Sequence, residues 1–100
     1  MKQLTGFEPQ HNDFAPFVKP DQLAILDPNY EPTPGDDVYI ELDSGDVDVG
    51  ELIEATETTV HYTSYNGMVD QEKSASEITT FYLISGVKRH RNTKERPLRD

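Results

Sequence analysis

Three histidines, His11, His61 and His90, are the side chains best suited to move a proton near neutral pH or to bind a transition metal. Each stands alone, with no second His or Cys at a zinc-like spacing, and the chain has no cysteine. No zinc-type centre is expected. Asp43, Asp46, Asp48 and Glu51 put four oxygen ligands within nine residues, and Gly45 permits a tight turn, a faintly calcium-like composition. Their spacing is not that of an EF-hand, and acidic hairpin loops commonly look the same. Ser44, Ser64, Ser74, Ser76 and Ser85 offer hydroxyls, but no general base stands at a recognisable spacing from any of them. The chain has no Gly-rich phosphate loop and no Gly-x-Ser-x-Gly elbow, so no cofactor is expected.

These residues hang on elements set by one stretch, Asp27-Pro28-Asn29-Tyr30-Glu31-Pro32-Thr33-Pro34-Gly35-Asp36-Asp37. Three prolines in seven residues fix φ and remove backbone donors, so neither a helix nor a central strand can run through it. Gly35 permits an unusual backbone angle, and the aspartates can bond nearby amides. Val38, Ile40 and Leu42 then alternate with Tyr39 and Glu41, predicting a half-buried strand at 37–43. Leu23-Ala24-Ile25-Leu26 predicts the strand before the turn. Residues 47–55 and the β-branched run 58–64 predict two more. Asn66-Gly67 predicts a type I′ hairpin turn, because both central residues of that turn need positive φ. Its partner strand would begin at Met68-Val69, whereas 70–77 is polar and unpatterned. Residues 78–87 form the most hydrophobic run and predict a central strand.

The expected class is all-β, a small partly open barrel or sandwich of five to seven short strands. Residues 1–21 show neither a 3.6 nor a 2 period, and with Phe7, Phe14 and Phe17 are expected as an extended arm or leader. Residues 22–91 form the β domain, and 92–100 a flexible polar tail. A chain of 100 residues supports one small domain at most. No run of about 18 apolar residues is present, so no membrane span is expected. The N-terminal residues lack the apolar stretch of a secretion signal, and the absence of cysteine fits a cytoplasmic location.

The net charge of −10 is unevenly placed. From 21 to 72 there are fourteen Asp or Glu and no Lys or Arg, while 88–99 holds six Lys or Arg against Glu95. Phosphate neutralisation drives non-specific nucleic-acid affinity, so the acidic body would repel duplex DNA. The acidity reads first as a solvated surface and second as a face for a basic protein partner.

The order of elements around the proline-rich turn resembles the LexA-like serine peptidase domain, the C-terminal half of phage repressors. In that family a strand leads to Ser-Met-x-Pro, with Pro-Gly-Asp a few residues on. This chain shows Asn29-Tyr30-Glu31-Pro32 and then Pro34-Gly35-Asp36. Val49-Gly50-Glu51-Leu52-Ile53 resembles the family's Gly-Asp strand, and Val60-His61-Tyr62 falls where the strand bearing the catalytic lysine is expected. Residues 82–91, Tyr-Leu-Ile-Ser-Gly-Val-Lys-Arg-His-Arg, resemble its closing strand. The likeness spans roughly 22–91, and its most specific piece is Glu-Pro-x-Pro-Gly-Asp.

The departures decide the expected function. At the family's nucleophile and base positions stand Asn29 and His61, and an asparagine amide cannot attack a carbonyl as a serine alkoxide does. The resemblance therefore implies a catalytically inactive, peptidase-like interaction module in transcriptional regulation or phage biology. It would form a homodimer, or a heterodimer with a related repressor, and would not bind DNA directly. The expected contact surface is the 78–87 strand with its basic extension, through Phe81, Leu83, Val87 and Arg89, together with Phe14 and Phe17. Two other readings remain open. One is an acidic inhibitor or nucleic-acid mimic, such as a phage counter-defence protein, and the other an active peptidase using a displaced nucleophile, Ser44 or Ser64.

Overall fold

A computed structural model describes residues 1–89; the predicted tail at 92–100 and His90 lie outside the described residues. Seven strands form in chain order: β1 (Thr5–Phe7), β2 (Gln22–Asp27), β3 (Asp37–Leu42), β4 (Val47–Ala55), β5 (Thr59–Ser64), β6 (Val69–Ser74) and β7 (Ile78–Arg89). The alternation seen in sequence is realised directly. In β3, Val38 and Ile40 are fully buried while Tyr39 and Glu41 are less so, and in β5 Val60, Tyr62 and Ser64 point inward.

All pairings are antiparallel, in the order β1-β2-β7-β3-β4-β5-β6. The twelve-residue β7 holds the sheet together. Its first half pairs with β3, its second with β2, and Leu83 lies between Asp27 and Val38. One turn of 3-10 helix, Ala75–Glu77, connects β6 to β7. Ser74 caps that turn, and Glu77 reaches back to the Ser74 amide in a capping box. Among the described residues no ladder joins β6 to β7, so the sheet curls without closing.

Successive residues of one strand face opposite sides, and both sides of this sheet are used. One face gathers Val38, Ile40, Leu52, Val60 and Tyr62, with Leu42, Ile78 and Phe81 packed against them. The curl of β3 to β6 and the start of β7 wraps this cluster. The other face gathers Ala24, Leu26, Val49 and Ile84, and is covered by Phe14 and Val18. The class is all-β as expected, and the described residues form one open seven-stranded sheet, with no second sheet of a sandwich among them. The covering layer of a sandwich is replaced here by the N-terminal segment.

That segment is therefore part of the body. Thr5, Gly6 and Phe7 pair with Leu26, Ile25 and Ala24, and Gly6 sits so close to the Leu23 side chain that a Cβ there would lie 2.6 Å from Leu23 Cδ1. Phe14 is 6% exposed and Val18 fully buried, with a cis Ala15-Pro16 bond between them. The hairpin after β5 also differs from the expected two-residue turn. Ser64 pairs with Val69, leaving a four-residue loop in which Gly67 (φ +86°) and Met68 (φ +54°), rather than Asn66, take positive φ. Tyr65 is unpaired with β6, but its amide donates to Val49 O of β4 at 2.8 Å, its ring packs on Phe17 with centroids 4.7 Å apart, and its hydroxyl donates to Asp37.

Candidate functional site

The proline-rich turn is rigid for reasons that its sequence supplies. Gly35 takes φ +96°, the Asp36 carboxylate accepts from the Thr33 amide at 2.8 Å, and Gly35 N donates to Leu52 O at 2.8 Å. Within it, the side chain of Asn29 is fully engaged. Its Oδ1 accepts from Lys2 N at 2.7 Å, and its Nδ2 donates to Lys2 O at 2.8 Å and to Asp27 Oδ1 at 3.1 Å. Asn29 thus ties the N-terminal residues to the turn. His61 sits on β5 between buried Val60 and Tyr62, so it faces the other side of the sheet. There it lies opposite Glu54 and Glu72, with Nε2 4.0 Å from the Asp70 carboxylate. Among the described residues no hydrogen bond joins Asn29 to His61. The two positions matched by resemblance serve separate local partners.

The displaced-serine candidates are also engaged. Ser44 donates to Asp46 Oδ2 at 3.2 Å within an exposed turn. Ser64 is 2% exposed, donates to Asp48 Oδ1 at 2.7 Å and accepts from Asn66 N at 3.1 Å. Tyr62, fully buried, donates to the other oxygen of Asp48 at 2.7 Å. Burial, then the bond to Asp48, pushes the Tyr62 phenol well above its ordinary range. Burial and the Asp37 bond act the same way on Tyr65. Asp48 is thus a structural hub that holds two inward hydroxyls. The other three carboxylates of the calcium-like run do not converge on it. Asp43 accepts from Thr79 at 2.6 Å, Asp46 closes its turn, and Glu51 lies opposite Thr63 on the far face. Among the described residues, no group of three or more His, Asp or Glu is placed to hold a metal ion.

The predicted contact residues divide. Phe14 and Val87 pack into the first apolar cluster, and Phe17 lies against Tyr65, so their side chains stabilise the protein's own body. β2 covers one edge of β7 along 83–89 and β3 covers the other along 78–83, so each edge is paired along about half of the strand. Arg89 is exposed and makes a 3.6 Å ion pair with Asp21. Phe81 and Leu83 share the face of β7 turned toward the second cluster.

At the end of that cluster, next to Phe81, an open groove of about 500 Å³ reaches the surface. Val60, Ile78 and Phe81 form its apolar floor, Ala55 and Thr56 one wall, and Glu31 and Glu57 contribute carboxylates. Both glutamates are exposed, and among the described residues neither has a hydrogen-bond or ion-pair partner. Sequence reasoning named Phe81 but missed the groove. Its walls come from the turn after Pro28 and from Thr56-Glu57, which meet only when the sheet curls. No family model matches the chain, and neither a curated protein nor a solved structure matches it significantly.

Proposed function

We propose that this chain is a non-catalytic protein-interaction module, similar in strand order to the peptidase-like domain of phage repressors. It pairs with a second copy or with a related chain in transcriptional regulation or phage biology. The observation that supports this is the Phe81 groove, an exposed apolar recess on a domain whose candidate nucleophiles are bonded into turns or buried. A largely apolar recess with a few polar groups at its edge is the usual form of a binding site. The module works through the sheet face at which this recess opens.

Isotope-filtered NMR on a mixture of labelled and unlabelled chains tests this. Intermolecular contacts to Ala55, Ile78 and Phe81 are expected. A paired chain whose intermolecular contacts all lie elsewhere would refute the assignment of the face.

One observation favours a second reading, an acidic inhibitor of a basic protein. On the outer face of β4 to β6, Glu54 and Glu72 flank His61, and Glu51 and Asp70 flank Thr63. Binding through that face weakens steeply with salt, whereas binding through the groove weakens little.

A further inference from the structure

We infer that the Phe81 groove accepts a partner segment that inserts one aliphatic or aromatic side chain and carries Lys or Arg on either side of it. This deepens the interaction-module reading and rests on it. The volume, about 500 Å³, suits one or two large side chains. The floor of Val60, Ile78 and Phe81 offers only apolar contact, so the inserted group is apolar. The charge beside it is fixed by two facts. Glu31 and Glu57 stand next to the floor without partners among the described residues. The sequence from 21 to 72, which supplies both of them, contains no Lys or Arg, and Lys73, opposite Val60 on β6, lines a separate recess and makes no ion pair with either glutamate. An acidic flank on the incoming segment would be repelled from both positions, and a neutral one would leave the attraction unused.

The probe is a terminally blocked heptapeptide with one central leucine between pairs of Lys and Arg, titrated into the full chain and followed by backbone amide shifts. A control peptide carries Glu in place of every cation. The basic peptide is expected to shift the amides of Ala55, Val60, Ala75, Ile78 and Phe81 and to bind at least tenfold tighter than the acidic control. Replacing the exposed rim carboxylates together, Glu31→Gln with Glu57→Gln, should weaken it about fivefold, at two- to threefold for each exposed pair. Ala55→Arg, which places a cation in the groove wall, should weaken it at least tenfold. Equal binding of the two peptides, shifts confined to another face, or no shift at millimolar peptide would overturn the inference. If the peptide fails while the chain is a salt-resistant dimer, the module reading stands and only the partner chemistry falls. If the peptide binds this groove and the chain is a monomer, the groove assignment stands and self-pairing falls.

Discussion

Removing the Asp48 carboxylate should damage this fold more than removing either hydroxyl that it holds. Tyr62 is fully buried and Ser64 is 2% exposed, and each donates to Asp48 at 2.7 Å. Tyr62→Phe removes one hydrogen bond to a charged acceptor and leaves a half-buried carboxylate oxygen that water can reach, a cost of about 1.5–2 kcal/mol. Ser64→Ala should cost about the same. Asp48→Ala instead leaves two buried donors without their acceptor, at about 1–3 kcal/mol each, so about 3–4 kcal/mol in total. For a domain of this size that corresponds to a fall in Tm of roughly 15–25 °C. Asp48→Asn should lie between, because a hydroxyl can turn and accept from the new amide. The assay is urea unfolding at neutral pH, followed by far-UV circular dichroism, with a double-mutant cycle on Asp48→Ala and Tyr62→Phe. The cycle should return a coupling of about 1–2 kcal/mol. If Asp48→Ala costs no more than Tyr62→Phe, or stays within about 0.5 kcal/mol of the parent, the hub does not hold the sheet as described.

Two further outcomes follow from burial. Phe14→Ala should cost about 3–5 kcal/mol in the same assay, because Phe14 is 6% exposed and helps cover the first apolar cluster; a dispensable leader would show almost no loss. The buried Tyr62 and the half-buried Tyr65 and Tyr39 all have phenols raised above their ordinary value near 10. Below that pH both folded and unfolded chains keep the protons, and above it the unfolded chain loses them first. Stability should therefore be flat up to about pH 10 and then fall, by up to about 1.4 kcal/mol per pH unit for buried Tyr62. Urea midpoints from pH 8 to 11 check this, and Tyr62→Phe should flatten the decline.

What was legible in the sequence was local. Val38, Ile40 and Leu42 alternate, and β3 forms where they stand. The prolines and Gly35 mark the turn that feeds it. Features fixed by distant contacts were not legible. Phe14 and Val18 lie in a stretch with no period, and only the apolar face formed by β2, β4 and β7 gives them a place. Asp48 looks like any hairpin carboxylate until Tyr62 and Ser64, 14 and 16 residues away, are folded onto it. Asn66-Gly67 signals a turn correctly, but the loop between Ser64 and Val69 has four residues, and the positive φ angles fall one residue along, at Gly67 and Met68. Gly50 shows the same limit. A Cβ there would lie 2.2 Å from the Thr63 carbonyl oxygen, a close approach that nothing in Val49-Gly50-Glu51 announces.

Light scattering across protein concentration, at low and at high salt, addresses the interaction-module proposal without a known partner. A chain that pairs through an apolar groove should show twice the 11.3 kDa of one copy, and should keep that mass in 1 M salt, where screening reaches about 3 Å. A single-copy mass at every concentration and salt would contradict self-pairing and bring the acidic face of β4 to β6 forward as the working surface.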